Sequence, residues 1–474
     1  MDPHLFVLFG ATGDLARAKL VPALYHLTRR GDAPPSLVVL GTGRTDWDDA
    51  RFRTMAAEAL AEKGVPEADA RAWAEATLHY VRADLTQSAD PLTERIVALE
   101  AAHETGSNRV YYLALPPAAF STTAEALGAF EARGERAGWT RLVVEKPFGS
   151  DLASARALNE TLHACFDEAQ VFRIDHFLGK ETVQNLLVFR FANALFEAAW
   201  TRAQVERVEI TVAETNDAEG RTGYFEDAGT MRDMIQNHLM QLYALTAMEP
   251  PARLDAEGIR AEKIKVLRST RPADPSEAVY GQYGAGDDPE GGRGEAYRDH
   301  EGVAEHSQTE TFAAVTLRCE NWRWQGVPFV LRTGKRLRER LTEIAVVFRR
   351  PPVRLFHAVS PCQPSRNVLR IRLQPDEGFR LSFDVKAPGD GFPVSTQHFR
   401  FSYADAFGPT PDAYETLLRD VALGDPTLFV HAEEAEEAWR VVAPLIASPP
   451  QPEIYSSGSW GPEAARALVT VAPA

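Results

Sequence analysis

Cysteine is scarce. Cys165, Cys319 and Cys362 are the three in 474 residues, and none falls in a C-x-x-C or Cys/His spacing. That excludes a disulfide framework or a structural zinc site as the basis of the fold, and it points to a cytoplasmic chain. Long apolar runs are missing as well. The N-terminal stretch LFVLFGA lacks a basic flank, is far too short to span a bilayer and runs straight into Asp14 and Arg17. It therefore reads as a first β-strand, not as a signal or membrane segment. Positive charge is in the minority, with 51 Lys plus Arg against 67 Asp plus Glu and a net charge of −16. This balance excludes a general nucleic-acid or anionic-membrane surface. A site for an anionic metabolite has to be a local basic pocket in an acidic shell.

What is present is enough for two or three cores: a mass of 52.3 kDa at 45% hydrophobic residues. In the first part, strand-like runs LFVLF, SLVVLGTGRT, LHYVRADL, RVYYLALP, RLVVEKPF and QVFRID are mostly separated by helical stretches. Such alternation predicts a Rossmann-type doubly wound parallel sheet over residues 1–175. From about residue 200 the pattern changes. RVEITVAET, TFAAVTLRC, VPFVLRTG, EIAVVFRR, VLRIRLQP and GFRLSFDV succeed one another without regular helices between them. A larger α+β domain with a mainly antiparallel sheet is predicted over residues 176–474. Residues 281–310, rich in Gly and charge, read as a long excursion from it.

Three places in the first half carry chemistry. In GATGDL, Gly10 and Gly13 allow a sharp turn and a close approach to a pyrophosphate, with the amides of Gly13 to Leu15 expected to point at it from the helix start. An NAD site usually has an acidic residue after the second strand, whereas here Gly41, Thr42, Gly43 and Arg44 follow. Arg44 suits a 2′-phosphate and favours NADP. Asp46 and Thr12 keep NAD open as a second cofactor. At the end of the fifth strand, Lys146 before Pro147 is held extended at the carboxyl edge of the sheet, where open α/β folds bind ligands. Lastly, VFRIDHFLGKETVQN crowds Arg173, Asp175, His176 and Lys180 around one strand-to-helix junction. A lysine at a helix start is electrostatically misplaced unless it pairs with Glu181 or Glu168, or an anion docks there.

In the second half, GTMRDMIQNHLMQLYALTAM predicts one helix whose apolar stripe runs Met231, Met234, Ile235, Leu239, Leu242 and Leu245. His238 falls inside that stripe, either as a satisfied core residue or as a general base held in a dry site. Asp175 is the candidate orienter of its ring. The second basic concentration, VLRTGKRLRER, makes Lys335 a pocket candidate.

Taken in order, GATGDL, EKPFG, RIDHFLGKE, EGRTGYFEDAGTMRDMIQNHLMQ, GQYG, VPFVLRTGKRL and RIRLQP resemble the glucose-6-phosphate dehydrogenase family from about residue 5 to 465. The resemblance implies a two-domain enzyme of the oxidative pentose phosphate pathway. It would oxidise β-D-glucose 6-phosphate at C1 to the 6-phosphogluconolactone, with hydride transfer to NADP. It implies His238 as the base and Asp175 as its orienter, with His176 and Lys180 on the phosphate. Lys146 is implied to touch both substrate and cofactor, and Glu214, Asp233, Lys335, Arg340 and Gln374 to line the sugar site. Gly10, Thr12, Gly13, Asp14, Leu15 and Arg44 match the dinucleotide loop, extended by Asp84 and Leu85. No metal is implied, and a homodimer or homotetramer is. The sequence departs from the family at Phe177, where many members carry a tyrosine that helps bind phosphate. Leu341, Arg380 and Ser382 replace residues that hold a second, structural NADP in animal members, so one NADP per subunit is expected. Two other readings share the pattern: a sugar oxidoreductase of the glucose–fructose oxidoreductase type acting on unphosphorylated sugar, and a catalytically silent NADP-binding regulator.

Overall fold

The computed structural model describes all residues except 35–36, 134–136, 219, 221, 289–290, 354, 356–364, 409 and 470–474. Cys362, and Glu219 and Arg221 of the family-like segment, lie outside the described residues; Cys165 and Cys319 are free thiols. The chain divides into two units. One comprises Met1–Lys180, Arg253–Arg260 and Pro411–Glu436, the other Glu181–Ala252, Ala261–Thr410 and Glu437–Ala474.

The first unit holds a six-stranded sheet of β1 (Leu5–Phe9), β2 (Val38–Gly43), β3 (Leu78–Arg82), β4 (Arg109–Leu113), β5 (Thr140–Val144) and β6 (Val171–Arg173). Its order is β3-β2-β1-β4-β5-β6, and every neighbouring pair is parallel. Strand order reverses beside β1, which places the carboxyl ends of β1 and β4 at a switch point. Both faces of β1 are buried, so it reads as an unbroken apolar run. One face packs under Leu20 and Leu24 of the first helix and under Leu417, Leu418 and Val421 of the helix Ala413–Leu423. That last helix arrives with the segment Pro411–Glu436, far along the chain from the strands it covers.

The second unit holds a nine-stranded sheet built from β7 (Val205–Ala213), β8 (Ala278–Gly284), β11 (Phe312–Arg318), β12 (Pro328–Gly334), β13 (Leu341–Phe348), β14 (Val368–Gln374), β15 (Gly378–Lys386), β16 (Val394–Ser402) and β17 (Glu453–Ser456). A small hairpin of β9 (Gly286–Asp287) and β10 (Arg293–Gly294) lies in the excursion. The order is β16-β15-β14-β13-β7-β12-β11-β8-β17. Most pairs are antiparallel, as expected, but β7–β12 and β8–β17 are parallel. Those two pairings join strands distant in sequence, which hydropathy patterns do not specify.

Residues 229–248 are not one regular helix. The helix Thr222–Thr230 contains Gly229 at φ 61, ψ 175, after which Met231–Leu239 is π-wound and Met240–Ala247 returns to α. A Cβ at Gly229 would lie 2.4 Å from Glu310 Oε1, so only glycine fits this corner. The helix packs on β11 and β12.

Candidate functional site

In the first unit the chain leaves β1 through Gly10 at φ +72, where a Cβ would meet the Ala114 carbonyl oxygen at 2.0 Å. Glycine here is required by the backbone crossing itself. Gly10 and Ala11 donate to the Thr42 carbonyl at the end of β2 (3.0 and 3.3 Å), and the Thr12 and Thr45 hydroxyls meet at 3.2 Å. The glycine loop and the Arg44 loop are thus one structure at the carboxyl end of the sheet. Arg44 is exposed there. One detail differs from expectation: the Gly13 amide donates to the Gly10 carbonyl (2.9 Å), closing the turn, and Asp14 and Leu15 follow it into the helix. Asp84 and Leu85 lie just after β3. The amide and hydroxyl of Thr86 hold the Asp84 carboxyl below its ordinary pKa, with Arg44 and Arg82 adding to the effect.

At the end of β5 the Lys146–Pro147 peptide is cis. The preceding Glu145 is buried and accepts hydrogen bonds from Tyr112 (2.5 Å) and Tyr414 (3.3 Å). Burial raises its pKa, opposed by those two hydroxyls and by Lys146. Tyr112 and Tyr414 are supports that sequence reading missed; a wholly buried strand and a distant helix carry no local sign that two phenols converge on one carboxylate.

The junction after β6 separates its charges. Arg173 is fully buried and answered inside the unit by Glu168 (2.8 and 2.9 Å) and Asn159 (2.9 Å), so it is structural. Glu168 is therefore engaged by Arg173, and also by His163 and the Ala432 amide, not by Lys180. Asp175 is 2% exposed; its Oδ1 accepts the Phe177 amide (2.9 Å) and its carbonyl the Leu178 amide (3.0 Å), a turn that fixes the carboxylate. His176 stacks parallel to Tyr414 at 6.2 Å, and Lys180 Nζ lies 4.5 Å from the Phe177 ring centroid. Phe177 is buried, so its ring grips the ammonium by cation–π attraction, where a tyrosine hydroxyl would have to be satisfied in the interior. Gly179 permits the helix Ala413–Leu423 to back this turn, since a Cβ would sit 2.5 Å from the Ala413 carbonyl oxygen.

In the second unit, register does the assembling. Gly334 and Leu341 both pair with Ala213, and Thr342 pairs with Gln374. Glu214, Lys335, Arg340 and Gln374 are therefore brought to one end of one sheet. Lys335 and Glu214 form an ion pair at 2.9 Å, with the Glu214 amide donating to the Gly334 carbonyl (3.0 Å). The Gln374 amide donates to the Thr342 hydroxyl (2.9 Å), and Arg340 is exposed at the start of β13. On the π-wound helix, Asp233 and His238 are buried at 7% and 1% exposure. Tyr224 donates to Asp233 (3.3 Å), and the His238 amide donates to the Asn237 side chain (2.6 Å). A buried imidazole and a buried carboxylate on one short helix form a candidate acid–base and hydroxyl-binding element.

Comparison with known proteins agrees over the whole chain. The family described as "Glucose-6-phosphate dehydrogenase, NAD binding domain" matches residues 7–185, and "Glucose-6-phosphate dehydrogenase, C-terminal domain" matches residues 187–472. Glucose-6-phosphate 1-dehydrogenase 2 of Mycobacterium tuberculosis is 46% identical, covering 97% of this chain and 92% of the relative. Glucose-6-phosphate 1-dehydrogenase of Aggregatibacter actinomycetemcomitans is 42% identical over 98% and 95%. A solved glucose-6-phosphate dehydrogenase in complex with its substrate glucose-6-phosphate superposes with a TM-score of 0.90 at 35% identity, covering 100% and 99% of the two chains. A 3-ketoreductase from Actinomadura kijaniata, at TM-score 0.51 and 13% identity, shares the fold alone.

Proposed function

Because the chain belongs to the glucose-6-phosphate dehydrogenase family, we propose that it oxidises β-D-glucose 6-phosphate at C1 to 6-phospho-D-glucono-1,5-lactone, the first step of the oxidative pentose phosphate pathway. The observation that carries this reading is His238, buried on the same helix as Asp233, in a chain whose family match leaves neither half unaccounted for. His238 removes the C1 hydroxyl proton, and the resemblance assigns Asp175 the task of orienting the ring and stabilising the imidazolium. His176 and Lys180 bind the phosphate, an anion that answers the lysine at a helix start. Lys146, Glu214, Asp233, Lys335, Arg340 and Gln374 hold the sugar, and Lys146 also meets the cofactor.

The cofactor in this reading is NADP. The Gly10 turn, tied to the Thr42 carbonyl at the end of β2, stands at the carboxyl edge of the sheet where open α/β folds bind a pyrophosphate, and Thr12, Gly13, Asp14, Leu15, Asp84 and Leu85 follow the ends of β1 and β3 at the same edge. Exposed Arg44, in the loop after β2, would hold a 2′-phosphate and so favour NADP over NAD. When bound, NADP supplies the hydride acceptor. One NADP per subunit belongs to this reading, with Leu341 buried at the start of β13.

The same reading makes the protein a cytoplasmic homodimer or homotetramer. In support, the outer sheet strands β15 and β16 carry a stacked Phe383–Phe399 pair with Phe399 63% exposed, an apolar face suited to a second copy. No helix among the described residues is long and apolar enough to cross a membrane.

The test is NADPH formation from glucose 6-phosphate and NADP, with NAD and free glucose as parallel substrates. Turnover on the phosphorylated sugar is expected. Turnover on free glucose instead would select the unphosphorylated-sugar oxidoreductase, and NADP binding without turnover would select the silent regulator.

A further inference from the structure

The segment leading into β11 holds two parts of the sugar-side cluster at once. At Thr311 the backbone carbonyl accepts the Lys335 amide (2.9 Å), which fixes the lysine turn. One residue earlier, the Glu310 carbonyl accepts the Thr230 amide (3.0 Å), and its carboxylate Oε1 accepts the Met231 amide (2.8 Å). Those two amides are the first turn of the helix that carries Asp233 and His238. Thr230, at the start of that helix, is already helical and makes no side-chain cap. The cap comes from 79 residues downstream. Gly229, with no Cβ, is what lets the carboxylate lie against the backbone.

A carboxylate in this place is costly. Glu310 is 8% exposed, and burial pushes its pKa up to about 7, opposed by the Met231 amide, its own backbone amide and Arg232. Facing it are Arg232 from the helix, Tyr280 from β8 and Tyr297 from the excursion. A neutral glutamine would fill the same volume and accept the same amide without burying charge. What glutamine lacks is the charge-assisted grip on a helix N-terminus, which is roughly twice as strong as a neutral hydrogen bond.

The geometry points to Glu310 as a positioning residue for the reaction: it clamps the start of the helix Met231–Leu239 and so sets where Asp233 and His238 stand relative to the Lys335 turn held by its neighbour Thr311. This inference rests on the functional reading above for its kinetic consequence, but not for the clamp itself.

Two variants test it, with amide exchange resolved at Thr230 and Met231 and with kcat and KM across pH. In Glu310→Ala, exchange at Met231 is expected to speed by about tenfold or more, as expected for loss of a buried hydrogen bond. Thr230, held by a backbone carbonyl, keeps its protection and serves as the internal control. The kcat falls by on the order of tenfold, as expected when reacting groups are misplaced, while the Kd for NADP is unchanged. Glu310→Gln keeps the fold and lowers kcat by about fivefold near pH 8. That deficit disappears near pH 6, where the wild-type carboxyl is itself protonated. Unchanged Met231 exchange in the alanine variant, or a wild-type kcat–pH profile in both variants, overturns the inference. A wild-type protein with no turnover of glucose 6-phosphate would overturn the functional reading instead and leave the exchange result to decide the clamp.

Discussion

The junction proposed to bind phosphate and the cluster proposed to bind the sugar are built in opposite ways. Asp175, His176 and Lys180 lie within one turn, fixed by hydrogen bonds between residues two or three apart. Glu214, Lys335, Arg340 and Gln374 come from four separate strand ends, joined only by the register of β7, β12, β13 and β14. The first arrangement is a local motif placed on a parallel sheet. The second exists only once long-range pairing is complete, so it depends on elements that carry no catalytic chemistry, such as Glu310 and Thr311. A site of the second kind is sensitive to changes far from the reacting atoms, while one of the first kind is sensitive mainly to its own side chains.

The largest break in this comparison is expected at His238. His238→Ala should lower kcat by roughly 10²–10⁴ with KM for the sugar phosphate little changed, because loss of a base falls on the transition state. Steady-state kinetics checks this, and comparable turnover would remove His238 as the base.

Next comes stability at Glu310. Its pKa is about 7 when folded against an ordinary 4.5, so between those values the folded protein keeps a proton that the unfolded chain releases. Stability from this residue is therefore full below pH 4.5 and is lost as pH rises to about 7. Glu310→Gln abolishes that loss and should make the protein more stable above neutrality by on the order of 3 kcal/mol, with no gain at acid pH. Urea unfolding at the two pH extremes measures the gap. A variant that is both more stable and slower is the signature of a residue kept for positioning.

On the phosphate side, Lys180→Ala should raise KM by roughly 10–100-fold with kcat largely kept, the range for a hydrogen bond to a charged group. An unchanged KM would take Lys180 out of the phosphate site. Arg44→Ala should reduce the preference for NADP over NAD by about tenfold, read from kcat/KM with each cofactor. The smallest effect is expected at Phe177. Phe177→Tyr adds a hydroxyl near Lys180 and should lower KM for glucose 6-phosphate by about threefold, the gain of a charge-assisted hydrogen bond to phosphate being largely offset by burying the hydroxyl.

The legibility of the two regions follows from the same contrast. GATGDL, Lys146–Pro147 and DHFLGK could be placed on strand ends from their own neighbours, because turn geometry and strand-to-helix changes are short-range. The sequence also marked His238 as out of place in an apolar stripe. It did not show that the backbone turns at Gly229 before Met231–Leu239 winds as a π-helix, because what packs against that corner is Glu310 from another segment. Nor did it separate Arg173 from its neighbours: four charges in a row looked like one cluster, and only burial against Glu168 and Asn159 assigns Arg173 to structure.

By itself, then, the sequence determined the class of each half and the family, and it singled out the residues proposed to carry charge and proton chemistry, since these rest on periodicity and on local motifs. Tertiary structure decided the parallel pairings β7–β12 and β8–β17, the docking of the helix Ala413–Leu423 behind the first sheet, and the carboxylate that caps the His238 helix. Each of those joins residues far apart in the chain, and such contacts are selected by burial and hydrogen-bond satisfaction summed over the whole unit, not by any window of sequence.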